Sequence, residues 1–148
     1  MSVFLLDVNV LVAMIWPEHI HHEVVRHWLG KHRSEQWASC PVTEAGFVRV
    51  STQPVLGGVA QGVPYGLRAL ERNCAEPRHV FWAHDSSVVE MLPEIRERMV
   101  GHQQLTDAIL LDLAIRKGGQ LVTLDRRVAT LLPPDSPHRS AVEIIPSF

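Results

Sequence analysis

Residues 105–125 read LTDAILLDLAIRKGGQLVTLD, and this stretch decides the fold. Its first half is apolar on almost every side, which is typical of a central helix that packs on both sides. The Gly118-Gly119 pair stops that helix, and the short apolar run QLVTL that follows it predicts a buried strand. Asp107 stands near the start of the helix, and Asp125 follows the strand.

The rest of the chain repeats this alternation of strand and helix. The predicted strands are VFLLDV (3–8), WASC (37–40), HVFWA (79–83), QLVTL (120–124) and VEIIP (142–146). The first three predicted helices are NVLVAMIW (9–16, stopped by Pro17), an amphipathic helix over 19–32, and a helix that Pro41 starts and that runs to 52. The next runs from Pro64 to Asn73. The last two are a helix that Asp85-Ser86-Ser87 caps and Pro93 interrupts, and the helix over 107–117. Loops are expected at Pro54 with Gly57-Gly58 and over PPDSPHRS (133–140). The pattern predicts an α/β fold with three layers, in which helices flank a mostly parallel central sheet with right-handed crossovers.

Length, composition and net charge restrict the classes of protein to which this chain can belong. A chain of 148 residues that is 46% hydrophobic suits one domain spanning residues 1–148. The net charge of −2 argues against a broadly basic surface, so a bound polyanion needs a local patch or a metal. Cys40 and Cys74 are read as small buried hydrophobic residues in a reducing compartment. Asp7 and Asn9 interrupt the apolar start of the chain short of a membrane span, so a soluble cytoplasmic protein with no membrane association is expected.

Four acidic residues fall at the edge where ligands bind in open α/β sheets, outside the carboxyl ends of the strands. Two follow strands, and two lie in the first turns of predicted helices: Asp7, Asp125, Glu44 and Asp107. Four carboxylates gathered there repel one another unless a hard divalent cation holds them. The constellation therefore predicts a Mg²⁺ or Mn²⁺ site and phosphoryl-transfer chemistry.

Each acid taken singly has a structural alternative, because aspartate is a preferred N-cap and acids favour any first helical turn. Thr106 is a candidate N-cap of the last helix, so Asp107 is not needed as the cap and is available to bind a ligand. Asp85 is read as a simple cap. Asp112 lies about 140° around the helix from Asp107 and four residues before Arg116, which predicts a helical salt bridge rather than a site residue.

Polar neighbours complete the predicted site. Asn9 follows Asp7 by two residues, and Thr123 precedes Asp125 by two. At these positions a polar side chain can orient a carboxylate or a metal-bound water. The alternatives are a turn or cap for Asn9 and ordinary strand propensity for Thr123. Five histidines crowd into residues 19–32, and a transition-metal site at His19, His22 and Glu23 is conceivable, although a solvated helix face is preferred. No Walker lysine motif or dinucleotide glycine triplet is present.

With LLDVNVLVA, VTEAGFVRV, LTDAILLDLAIRKGG and LVTLD in this order, the chain resembles the PIN-domain ribonucleases, and more narrowly the VapC toxins of toxin–antitoxin pairs. The resemblance covers essentially the whole chain and implies a PIN-like fold, a homodimer and a cognate antitoxin whose tail covers the active site. Carried over residue by residue, it assigns the acidic quartet to Asp7, Glu44, Asp107 and Asp125, and the supporting positions to Asn9 and Thr123. Many members have another aspartate where this chain has Arg127, so the resemblance leaves one or two metal ions open.

The resulting hypothesis is a Mg²⁺- or Mn²⁺-dependent endoribonuclease in which the quartet holds metal and a metal-activated water attacks phosphorus. Arg126 and Arg127 are candidates to steer the RNA backbone, with a solvated surface pair as the alternative. A haloacid-dehalogenase-like phosphatase needs a second aspartate where Asn9 stands. A receiver domain needs paired acids after the first strand and a late lysine, and neither is evident. A PIN-domain nuclease of RNA processing and a non-catalytic PIN-like binding module remain as alternatives.

Overall fold

The computed structural model describes residues 2–53 and 62–147. Its strands are β1 (Val3–Leu6), β2 (Gln36–Ser39), β3 (His79–Phe81), β4 (Gln120–Thr123) and β5 (Val142–Ile144). Its α-helices are α1 (Val8–Ile15), α2 (His22–Lys31), α3 (Pro41–Ser51), α4 (Gly62–Cys74), α5 (Pro93–Arg96) and α6 (Leu105–Arg116). The loop predicted at Pro54 and Gly57-Gly58 lies outside the described residues.

The five strands form one sheet in the order β3-β2-β1-β4-β5, and all four neighbouring pairs are parallel. The central strand β1 pairs with β4 in the register Phe4 to Gln120, and with β2 in the register Phe4 to Trp37. The predicted α/β class and central parallel sheet are confirmed. Because β1 and β4 are neighbours that run the same way, the residues that follow them emerge side by side at one edge of the sheet.

Helices cover both faces of the sheet, which gives the predicted three layers. Alternate strand residues face opposite sides: Phe4 and Leu6 pack with α1 to α4, whereas Leu5 packs with α5 and α6. Helix α6 buries residues on several sides, as its sequence predicts: Ala108, Leu110, Leu111, Asp112, Leu113 and Ala114. Within the described residues, the structure contains no helix with the length and apolar character that a membrane crossing requires.

Several helix starts differ from the predictions. Helix α6 begins at Leu105 after a short 3₁₀ segment, so Thr106 lies inside the helix rather than capping it. Ser87, not Asp85, caps a single 3₁₀ turn (Val88–Glu90), and Pro93 begins α5 instead of interrupting a longer helix. Asp85 instead lies 3.8 Å from Lys117 in an exposed ion pair. The predicted pair of Asp112 and Arg116 is present at 2.8 Å.

Candidate metal centre

The adjacent strands β1 and β4 bring two aspartates together. Asp7 directly follows β1 and caps α1, accepting a hydrogen bond from the Val8 amide at 2.7 Å. Its own amide donates to the carbonyl of Val122 in β4. Asp125 lies two residues past the end of β4 and begins a 3₁₀ segment. Asp7 is therefore both a helix cap and a member of the carboxylate group, so the two interpretations of this residue are compatible.

Thr123 connects the polar groups at this edge of the sheet. Its side chain is fully buried, and its hydroxyl donates to Asp7 Oδ2 at 2.7 Å. The same oxygen accepts from the Asp125 amide at 3.1 Å and from Asn9 Nδ2 at 3.3 Å. Asn9 in turn accepts from the Leu124 amide at 3.1 Å. Thr123 therefore holds the Asp7 carboxylate directly and the Asp125 backbone, and Asn9 supports it by bonding to Thr123 and to the Leu124 amide.

Asp107 enters the same group from the first turn of α6. Its side chain is partly buried and makes no hydrogen bond with the described residues. Burial, followed by the negative charges of Asp7 and Asp125, raises the pKa of Asp107 to about 6. Burial also raises the pKa of Asp7, against the opposing hydrogen bonds from Thr123 and Val8. The negative charges of Asp7 and Asp107 are therefore unfavourable without a cation.

The raised pKa of Asp107, caused first by burial and then by the neighbouring aspartates, predicts a pH effect on the metal-free protein. The pKa of Asp107 rises from 3.8 unfolded to about 6 folded, so its favourable contribution is complete below pH 3.8 and is lost as the pH rises through 6. After allowance for solvent screening, we expect a loss of about 1–2 kcal/mol by pH 8.

Urea unfolding in EDTA from pH 4 to 8 measures this effect as the difference between the wild type and Asp107→Asn. The difference is needed because burial lowers the pKa values of His19 and His79, and those groups act in the opposite direction over the same range. Parallel stability curves for the two proteins would contradict the prediction.

Arg127 neutralises the third aspartate. Its guanidinium donates to both oxygens of Asp125, with Nε to Oδ1 at 3.0 Å and Nη2 to Oδ2 at 2.9 Å. This pairing lowers the pKa of Asp125 below its usual value. Arg126 beside it is exposed. A cleft of about 370 Å³ lies between the 101–104 segment and Arg127, with Asp107 in its wall.

The close contacts of Glu44 are with Ser39 and its neighbours rather than with the three aspartates. Its carboxylate accepts a hydrogen bond from Ser39 Oγ at 2.6 Å, and the same hydroxyl lies 2.8 Å from His79 Nε2. The ligand atoms of Glu44, Cys74 and His79 lie within 4.8 Å of one another. The structure therefore groups Asp7, Asp107 and Asp125 and directs Glu44 toward a thiol and an imidazole.

Among residues 2–53 and 62–147, Glu44, Cys74 and His79 are the one group of three potential ligands whose donor atoms all lie within 4.8 Å of one another, and the donor atoms of the three aspartates are farther apart than this without an ion. The histidines at the start of α2 do not form such a group with Glu23. His19 Nδ1 accepts from the His21 amide at 3.0 Å, and His22 Nδ1 lies 2.7 Å from the carbonyl of Ala13. Sequence reasoning did not find Ser39, Cys74 or His79 as site residues, although a serine that ends an apolar strand was a signal for Ser39.

The donor set of the aspartate group fits a hard divalent cation. All of its side-chain donors are carboxylate oxygens, which Mg²⁺ and Mn²⁺ prefer, and the pKa values of Asp7 and Asp107 are raised as expected for carboxylates that lack a counterion. Asp7, Asp107 and Asp125 are the residues that would hold such an ion.

Comparison with known proteins identifies the family of this chain and its relatives. Residues 4–131 match the family model of the PIN domain. Ribonuclease VapC38 of Mycobacterium tuberculosis (strain ATCC 25618 / H37Rv) is 47% identical over 127 residues, which cover 86% of this chain and 88% of that protein. Ribonuclease VapC39 of the same strain is 36% identical over 141 residues, which cover 95% of this chain and 98% of that protein.

Two solved structures share the fold. VapBC2 from Rickettsia felis, bound to a DNA fragment from its promoter, aligns with a TM-score of 0.60 at 16% identity, over 88% of this chain and 93% of that one. FitAcB from Neisseria gonorrhoeae aligns with a TM-score of 0.58 at 16% identity, over 97% of this chain and 96% of that one. With a family match that spans residues 4–131 and VapC ribonucleases among its relatives, the chain belongs to the PIN-domain family.

Proposed function

We propose that this protein is a Mg²⁺- or Mn²⁺-dependent endoribonuclease and the toxin of a toxin–antitoxin pair. The observation that carries the proposal is the group of Asp7, Asp107 and Asp125, in which two carboxylates have raised pKa values. The names of its relatives, ribonucleases VapC38 and VapC39, support RNA as the substrate. The hydrogen bond from Thr123 to Asp7 supports a functional site over a vestigial one, because it holds the Asp7 carboxylate in position before any ligand binds.

In this proposal the three aspartates bind the cation, directly or through water, and Glu44 completes the quartet. Glu44 joins them by giving up its hydrogen bond from Ser39. A cation held there would supply a water of lowered pKa as the nucleophile and would stabilise charge on the leaving oxygen. Thr123 keeps the Asp7 carboxylate oriented through its hydroxyl, and Asn9 supports Thr123 through its side-chain amide. No side chain is assigned as a general base.

The RNA backbone is proposed to lie along the cleft beside Asp107. Arg126 is exposed and free to meet phosphate, and Arg127 lines the cleft while it pairs with Asp125. Since phosphate contacts position a nucleic acid without reading its sequence, these arginines contribute to binding rather than to the choice of cleavage site.

A protein antitoxin and a second copy of this chain are the proposed partners. Their support is the similarity to VapC proteins and to the VapBC2 structure. A PIN-domain nuclease of RNA processing is the second candidate, because the same aspartate group serves either role. A cytoplasmic location belongs to the same proposal.

The ends of the RNA products test the chemistry. A metal-activated water leaves a 5′-phosphate and a free 3′-hydroxyl, whereas a histidine-based enzyme uses the 2′-hydroxyl and leaves a 2′,3′-cyclic phosphate. We expect 5′-phosphate ends, loss of cutting in EDTA and recovery with Mn²⁺. His27→Ala, on the exposed face of α2, is the matched histidine control and should cut normally. Cyclic-phosphate ends, or cutting that persists in EDTA, would refute the metal mechanism.

Replacing Arg127 with alanine is expected to strengthen metal binding. The guanidinium competes with a cation for both oxygens of Asp125, so its removal should lower the apparent dissociation constant for Mn²⁺, by roughly fivefold at most for an exposed ion pair. RNA binding should weaken at the same time. Calorimetric titration of Mn²⁺ measures the effect, with Arg126→Ala as the control because Arg126 has no ion pair with the described acids. Equal Mn²⁺ affinity in Arg127→Ala and the wild type would contradict the prediction.

A further inference from the structure

Three potential metal ligands of different chemistry meet where α3, α4 and β3 come together. Glu44 comes from α3, Cys74 from the last residue of α4 and His79 from the first residue of β3. One ligand atom from each lies within 4.8 Å of the other two, and all three side chains are partly buried. Three separate elements of the fold thus converge on a space that a single ion can fill.

The surroundings of these side chains fix them in place. Ser39 Oγ, fully buried at the end of β2, lies within hydrogen-bond distance of both Glu44 Oε2 and His79 Nε2. The ring of His79 packs against Trp37, with 4.5 Å between the ring centroids. Cys74 is a free cysteine. Ser39 therefore positions two of the three donors, which reduces the entropy lost on binding, and an ion bound to the same atoms would replace its hydrogen bonds.

The donor set selects the kind of ion. Carboxylate, thiolate and imidazole together are the ligands of zinc sites, and three protein ligands leave the fourth tetrahedral position to water. Mg²⁺ and Mn²⁺ prefer oxygen ligands and have little affinity for a thiolate. The group is thus chemically distinct from the three aspartates.

We propose that Glu44, Cys74 and His79 form a Zn²⁺ site that regulates the protein. Zinc binding displaces the thiol proton of Cys74 to solvent and ties Glu44 to the zinc ion. The regulatory step rests on the proposed function, in which Glu44 also serves the Mg²⁺ or Mn²⁺ centre. Glu44 cannot serve both ions in the same way, so zinc is expected to oppose metal-dependent RNA cleavage.

Cobalt substitution tests the site without any reference to RNA. Co²⁺ added to the metal-free protein is expected to give the thiolate charge-transfer absorption and tetrahedral visible bands, and one equivalent of Zn²⁺ should remove both. Cys74→Ser should lose the charge-transfer band, and His79→Gln should bind Zn²⁺ at least about tenfold more weakly in competition with a chromophoric chelator. Circular dichroism and thermal melts check that each variant is folded.

The histidine-rich start of α2 supplies the control. His19→Ala should retain both the cobalt spectrum and the zinc affinity, since His19 is outside the cluster. Absence of a thiolate band in the wild type, its persistence in Cys74→Ser, or loss of zinc binding in His19→Ala would each overturn the proposed site.

The regulatory step has its own readout, the ratio of cleavage rates with and without Zn²⁺ at fixed Mn²⁺. Zinc should lower this ratio for the wild type, and less so for Cys74→Ser. An equal ratio in the two proteins would refute regulation through Glu44. Zinc binding by a protein that does not cut RNA would refute the proposed function alone, whereas Mn²⁺-dependent cutting without a cobalt–thiolate band would refute the zinc site alone.

Discussion

Replacing Asp107 with asparagine is expected to abolish RNA cleavage while leaving the metal-free protein at least as stable as the wild type. The substitution removes one of three carboxylates proposed to hold the cation. Loss of a group that merely orients a metal ligand costs about 10- to 100-fold, so loss of a ligand should cost at least roughly 100-fold. Stability is expected to rise above pH 6 because the variant lacks a charge that burial, Asp7 and Asp125 all disfavour.

The measurement combines cleavage in vitro with expression of the chain alone in a bacterial host. Wild-type protein should arrest growth, and Asp107→Asn should not. Asp112→Asn is the matched control because it makes the same chemical change on the same helix, at a residue that pairs with Arg116 and the Leu92 amide. It should reduce stability and retain cleavage. Growth arrest by Asp107→Asn at equal protein level would refute the assigned role, and robust growth with abundant wild-type protein would favour a nuclease of RNA processing.

Replacing Thr123 with valine is expected to reduce both stability and metal binding. Valine keeps the shape of the fully buried side chain but removes the hydroxyl that donates to Asp7 and accepts from the Asp125 amide. Polar groups left without partners in a buried site cost about 1–3 kcal/mol. Because Thr123 orients a proposed ligand, Mn²⁺ affinity should fall by about 10- to 100-fold.

Thr123→Ser is the matched control, since it restores the hydroxyl and lacks only a methyl group. Its Mn²⁺ affinity should be close to that of the wild type, and its stability about 1 kcal/mol lower. Urea unfolding in EDTA and titration of Mn²⁺ measure the two effects. A valine variant with wild-type Mn²⁺ affinity would show that the hydroxyl serves the fold alone.

The sequence predicted the sheet edge well because its signals are local. Asp7 and Asp125 directly follow apolar strands, and parallel neighbouring strands bring such residues together without further information. The hydrogen bonds of Thr123 with Asp7 and the Asp125 amide, and of Asn9 with Thr123, agree with the spacing of two residues between these polar residues and the aspartates. That these residues bind metal remains a prediction.

Other features depend on contacts that the sequence does not show. The start of α6 could not be read from Thr106, because the preceding 3₁₀ segment runs directly into the helix at Leu105. Cys74 lies close to Glu44 because α3 packs against α4, and His79 joins them because β3 pairs with β2. The sequence makes Arg127 a candidate to steer RNA, which stays a prediction, and the structure adds a pairing with both oxygens of Asp125 that depends on the rotamer of Arg127.

The pairing of β1 with β4 has a consequence for synthesis of the chain. Thr123 and Asp7 share a hydrogen bond across 116 positions, and the central strands that support it are separated by nearly the whole sequence. Contacts of such long range form late, after the intervening loop has been closed at an entropic cost. Two of the three clustered aspartates lie beyond residue 100, so no nascent chain shorter than 125 residues contains the complete group. A ribosome must therefore translate as far as Asp125 before the three carboxylates can meet.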